Sequence, residues 1–136
     1  MKEQIQIRNQ IDDLQQVAIF VEKIGDALHL SPELIMNFNL VLEEMVSNVI
    51  LYAYPKENDA TILLTATAKD DTVSFIITDK GYPFDPTAVE DADMSTNPAD
   101  RQLGGMGIFI TRQLMDDVSY QRANGCNILT MTKKIN

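Results

Sequence analysis

Apolar positions along this chain change period several times, and each change marks an element. Ile5 and Ile7 alternate with polar residues, as in a short strand. Leu14, Val17, Ala18, Val21, Ile24 and Leu28 then recur every three or four residues, which predicts an amphipathic helix capped by Asp12 or Asp13. Ser31-Pro32-Glu33 opens a second helix with a hydroxyl cap, a proline in the first turn and an acid near the positive dipole end. That helix runs to about Tyr52 and is stopped by Pro55. Alternation returns over residues 60–68 and 72–78, two strands around an Asp70-Asp71 turn. Ile62, Leu64 and Ala66 share one face of the first, and Val73, Phe75 and Ile77 one face of the second. The pattern disappears from Thr87 to Leu103. It resumes as a helix over residues 106–115, a strand near 118–121, an Asn124-Gly125 turn and a last strand over 128–135.

Three helices and about five strands in 136 residues make one domain with one core, residues 1–136. The strands' apolar faces need cover, and the amphipathic helices supply it from one side, so the expected architecture is an α+β two-layer sandwich. The unpatterned stretch of about 87–104 is too long for an ordinary connection. Lying between two glycine-bearing loops, it is expected to be a mobile lid.

Composition narrows the function. With 45% apolar and 23% charged residues the chain has an ordinary soluble, globular make-up. No apolar run in the sequence approaches the length of a membrane span, and MKEQIQIRNQ has no signal-peptide pattern. The single Cys126 forms no internal disulfide and suits a cytoplasmic setting; the lone His29, between two helices, leaves no His-rich metal site. A net charge of −9 without a basic cluster argues against nucleic acid or an anionic membrane as partner. Any nucleotide phosphate must then be met by backbone N–H groups and a cation such as Mg2+.

Three segments carry candidate chemistry. Glu44 and Asn48 stand four residues apart on one helical stripe, continued by Tyr52, at the margin of an apolar face. A carboxamide oxygen suits Mg2+, and the carboxylate beside it suits proton abstraction. Glu43 points about 100° away from that stripe. Asp79-Lys80-Gly81-Tyr82-Pro83-Phe84-Asp85-Pro86 follows a strand. An aspartate there can accept from the exocyclic amine of adenine, and Gly81 lets the chain approach the ring. Gly104-Gly105-Met106-Gly107 starts a helix, where amides favour phosphate. The loop has no Lys-Ser/Thr of a P-loop, and its setting is not that of a dinucleotide-binding GxGxxG.

In order and spacing, EEMVSNVILYAYP, DKGYPFDP, GGMGIFITRQLMDDVSY and NGCNILTMTKK resemble the motifs of the histidine-kinase-like (GHKL, Bergerat) ATPases. Within them the small size and the Pro-Phe-Asp-Pro and Leu-Met-Asp-Asp segments resemble the anti-sigma factor serine/threonine kinases. The resemblance implies a mixed, mainly antiparallel sheet covered by three helices, with ATP and Mg2+ as cofactors. It implies Glu44 as general base, Asn48 as Mg2+ ligand and Asp79 with Gly81 at the adenine. It also implies Gly105, Met106 and Gly107 at the phosphates, and Thr130 as the threonine near the base. Such kinases bind a sigma factor, phosphorylate a STAS-type antagonist and commonly act as dimers. Two positions depart from the pattern: Tyr52 stands where many relatives have histidine, and Cys126 where a glycine is frequent. The expected activity is ATP-dependent transfer to a protein Ser/Thr. The alternative is a nucleotide-dependent binding module that sequesters a regulator without turnover. A histidine kinase catalytic domain ranks below both, because 136 residues leave no room for a dimerisation helix pair and His29 lacks a helical phosphoacceptor setting.

Overall fold

The computed structural model describes residues 1–54, 60–88 and 105–135. In chain order the elements are β1 (Lys2–Arg8), a 3-10 turn (Ile11–Asp13), α1 (Leu14–Leu28), α2 (Pro32–Asn48) and a π-helical turn (Val49–Ala53). Then come β2 (Thr61–Lys69), β3 (Thr72–Asp79), a 3-10 turn (Pro86–Ala88), α3 (Gly105–Leu114), β4 (Asp117–Ala123) and β5 (Cys126–Lys134). The strands form one sheet in the order β1-β2-β3-β5-β4, antiparallel at each pairing. The expected α+β sandwich is the architecture found. Most of the expected lid lies outside the described residues; Thr87 and Ala88 end the second 3-10 turn.

Register decides which side chains meet. Ile7 lies opposite Ile62, Leu64 opposite Ile77, Ile77 opposite Leu129, and Phe75 and Val118 opposite Met131. Because side chains alternate along a strand, these residues share one face. They join Val17, Phe20, Val21 and Ile24 of α1, Phe38, Leu42, Met45 and Val46 of α2, and Ile108 of α3 in one buried core. Phe38 meets Phe75 edge-on with ring centroids 5.1 Å apart. The opposite face carries Gln4, Thr65, Ser74, Thr132 and Ser119, among others. Both hairpin turns take the left-handed pair of conformations that a two-residue connection requires: φ 51° and 64° at Asp70 and Asp71, 55° and 76° at Asn124 and Gly125.

Three local expectations change. Asp13 stands at the N-cap of α1 but makes no capping bond. Its carboxylate accepts from the Arg8 backbone N–H at 2.8 Å and from the Arg8 guanidinium at 2.9 and 3.2 Å. The charged donor, with an amide beside it, outcompetes the helix amides, and it holds the Asp13 carboxyl below the usual range. Ser31, by contrast, does cap α2, accepting from the Leu34 N–H at 3.2 Å. The second helix leaves α geometry after Asn48 and finishes as the π turn, before Tyr54 becomes extended. With that turn included, Pro32–Ala53 is 22 residues long, and its most apolar 18-residue window has a mean hydropathy of 1.4. Contrary to the sequence expectation, it is therefore long and apolar enough to cross a membrane. Here 44% of its most apolar window is buried, one side packing on α1 and α3.

Candidate functional site

The site is built along α2, starting from Glu44 and Asn48. Leu42, Met45, Val46 and Val49 anchor the helix in the core, which leaves Glu44 half-buried at its edge and buries Asn48 to 6% exposure. Nδ2 of Asn48 has no hydrogen-bond partner. An unpartnered buried amide costs about 1–3 kcal/mol, a cost that a bound ligand can offset.

The first turn of α3 passes directly beside Glu44. A Cβ added at Gly107 would stand 3.0 Å from Glu44 Oε2 and 3.3 Å from Cε of Met45. Glycine here lets the helix start lie against the carboxylate. The Thr111 hydroxyl, fully buried, donates to the Gly107 carbonyl at 2.9 Å and holds this turn from below. Gly105 and Met106 form the rest of the turn, Met106 half-buried. Gly104 and Arg101 lie outside the described residues.

The other end of the same helix meets the Asp79 loop. The Tyr82 N–H donates to the Ala53 carbonyl at 2.6 Å. A Cβ at Gly81 would fall 2.2 Å from that oxygen and 2.7 Å from its carbon. Both obstacles are backbone, so Gly81→Ala must push the loop off the helix end. The expected cost is on the order of 1–3 kcal/mol, seen as a lower denaturation midpoint. A wild-type midpoint would mean that this contact is absent in solution. Tyr54, just past the π turn, accepts from the Lys80 N–H at 2.9 Å and donates to the Thr61 carbonyl at 3.2 Å. Tyr52 packs its ring on Phe84 at 5.6 Å, so the third member of the helical stripe faces the base loop. One helix thus touches the phosphate-loop candidate at Glu44 and the base-loop candidate at Ala53. Asn48 lies between them, about 6–7 Å along the axis from each.

Asp79 continues the parity of Val73, Phe75 and Ile77 and so ends β3 on the helix-covered face, 3% exposed. Its Oδ1 accepts from the Gly81 N–H at 2.8 Å and from Asn127 Nδ2 at 2.9 Å. Neither bond uses Oδ2. Burial pushes the carboxyl above its usual range, partly offset by the Asn127 and Gly81 donors and by the Arg122 charge. Arg122 also donates to the Gly81 carbonyl at 2.8 Å.

Thr130 is not near this carboxylate. It pairs with Ile76 and Ser119 on the opposite face of the sheet, because its parity differs from that of Leu129 and Met131. The residue that faces Asp79 across the strands is Asn127. Strand parity alone could have found it: a polar residue two positions before Leu129 and four before Met131 lies on the buried face.

A buried acid at a strand end, a glycine loop clamped to a helix end, and a second glycine turn beside a helical carboxylate define a histidine kinase-like ATPase domain. The family model of that description, Histidine kinase-like ATPase domain, matches residues 7–133. The serine/threonine-protein kinase BtrW of Bordetella bronchiseptica is 33% identical over 102 residues, 75% of this chain and 72% of that protein. The serine-protein kinase RsbW of Listeria monocytogenes is 30% identical over 116 residues, 78% and 69% of the two chains. The fold matches the structure of the RsbU and RsbW domains of a Mycobacterium tuberculosis protein with a TM-score of 0.72 at 14% identity. That match covers 99% of this chain and 32% of the longer one. The chain belongs to the histidine kinase-like ATPases, and within them to the serine/threonine-protein kinases of the BtrW and RsbW kind.

Proposed function

We propose that this chain transfers the γ-phosphoryl group of ATP to a serine or threonine of a STAS-type protein, as the switch of an anti-sigma pathway. The observation that carries the reading is the contact of Glu44 with Gly107, one helical turn from the unpartnered Nδ2 of Asn48. A pure nucleotide binder has no use for a carboxylate at that place. In the proposed step the acceptor hydroxyl oxygen attacks the γ-phosphorus, its proton passes to Glu44, and the bond to the β–γ bridging oxygen breaks to release ADP. Oδ2 of Asp79 accepts from the adenine amine, and the amides of Gly105, Met106 and Gly107 face the phosphates. Tyr52 and Phe84 line the approach from the helix end to the base.

Asn48 fits a place at the metal. Its carboxamide is buried, lacks a partner on one side, and exchanges oxygen for nitrogen by a half-turn. Mg2+ bound with ATP would neutralise phosphate charge there. Among the described residues no three carboxylate, imidazole or thiol groups converge, so the phosphates would complete its shell. On this reading the protein works in the cytoplasm as a homodimer, binds a sigma factor, and has neither nucleic acid nor membrane as a direct partner.

The test is incubation with γ-labelled ATP, Mg2+ and a purified STAS-type protein. Label on a serine or threonine of that protein is the expected result. A stable ATP-dependent complex with no transfer would sink the kinase reading and leave the sequestering module in its place.

A further inference from the structure

We infer that Asn127 is a positioning residue for base recognition, which selects the oxygen that Asp79 offers while making no contact with the nucleotide itself. The inference rests on the proposal that Asp79 receives the base.

Asn127 is 4% exposed and stands opposite Asp79 in the β3–β5 ladder. A carboxamide has two donor hydrogens and two acceptor lone pairs, and here all four are engaged. Nδ2 donates to Asp79 Oδ1 at 2.9 Å and to the Tyr82 carbonyl at 2.8 Å. Oδ1 accepts from the Phe84 N–H at 3.2 Å and from the Tyr120 hydroxyl at 2.5 Å. Nothing remains on the side chain for a ligand. Its effect must pass through its partners, which are the carboxylate, two backbone groups of the base loop, and a tyrosine on β4.

The consequence for Asp79 is geometric. With Gly81 and Asn127 both on Oδ1, the carboxylate cannot rotate without losing two bonds, and Oδ2 remains as the acceptor. The bonds to Tyr82 and Phe84 fix the loop around that same oxygen. The charged and titratable neighbours are Arg122 from β4, Tyr54 from beyond the π turn and the exposed Lys80 next in the chain. Asn127 is the neutral donor among them. Burial drives the Asp79 carboxyl up, and donation from Asn127 is the largest influence holding it down.

The experiment measures the affinity of the full chain for ATP from about pH 8 down to about pH 5, for wild type, Asn127→Ala, Asn127→Asp and Asp79→Asn. Asn127→Ala is expected to weaken binding about tenfold at neutral pH and to raise the midpoint of the acid loss. Asn127→Asp should raise that midpoint further, because two facing carboxylates share a proton. Asn127→Asp keeps the side-chain shape and the bonds from Phe84 and Tyr120, so it decides the matter where Asn127→Ala does not fold. Weaker binding with an unmoved acid midpoint would reduce Asn127 to a structural residue and overturn the inference. So would wild-type affinity and midpoint in both variants while Asp79→Asn still loses ATP. If Asp79→Asn binds ATP as wild type does, the base-site reading itself falls, and the inference with it.

Discussion

Replacing Glu44 by glutamine is expected to lower the rate of phosphoryl transfer about 100- to 10,000-fold and to leave ATP binding within a factor of a few. That range is what a positioned general base contributes to a proton transfer. Glutamine keeps the length and polarity of the side chain, so the contact with Gly107 survives and the phosphate turn stays in place. Binding should therefore persist, since the base loop and Asn48 are untouched. Single-turnover transfer to the acceptor protein, measured beside ATP affinity, separates the two effects. Equal transfer by the variant would remove Glu44 from the chemistry, and loss of both together would make it a structural support for the phosphate turn.

Asp79→Asn acts at the opposite end of the site. The variant is expected to bind ATP roughly 10- to 100-fold more weakly, the weight of a hydrogen bond to a charged acceptor. An amide can still accept from Gly81, but it then turns its NH2 toward the adenine amine, donor against donor. The acid limb of binding carries the same information. The wild-type carboxyl sits above its usual range, so ATP affinity should begin to fall at a higher pH than for an exposed aspartate. That limb should flatten in Asp79→Asn. The sign for folding is the reverse: an acid whose folded pKa is raised stabilises the fold as pH drops through that value. At Asp13 the pKa is lowered, so the stability it contributes is present above the unfolded value and is lost as pH falls. Acid therefore destabilises the β1–α1 corner through Asp13, while at Asp79 it favours the fold and is expected to weaken ATP binding.

Much of this was legible in the sequence because it rests on period and spacing. The two-residue alternation of Val73, Phe75 and Ile77 carries straight to Asp79. The four-residue step from Glu44 to Asn48 needs no more than helical geometry, and Ser31 caps as its chemistry predicts. What escaped is what depends on contact between distant segments. Thr130 is the exception, a matter of local parity: the resemblance places it at the base, yet its position between Leu129 and Met131 puts it on the far face. Asn127 lies between the Asn124-Gly125 turn and the strand expected over 128–135, where the pattern gives it no distinct place. Only the β3–β5 register brings it against Asp79. Asp13 reads as a cap until Arg8, five residues back, claims its carboxylate. The π turn has no sequence mark of its own. At its end Ala53 lies against Gly81, 28 positions further along the chain.

That turn also binds two parts of the enzyme into one mechanical unit. The Ala53 carbonyl at the end of that turn also anchors the Asp79 loop, through the Tyr82 N–H. Fraying of Val49–Ala53 would free the Tyr82 N–H and leave the loop to its bonds with Tyr54, Arg122 and Asn127, so opening of the helix end loosens the loop on that side. If the Asp79 loop receives the base as proposed, affinity for the nucleotide is expected to depend in part on the integrity of a helix terminus. The exposed Leu51 lies on that same turn, two residues before the carbonyl that holds the loop.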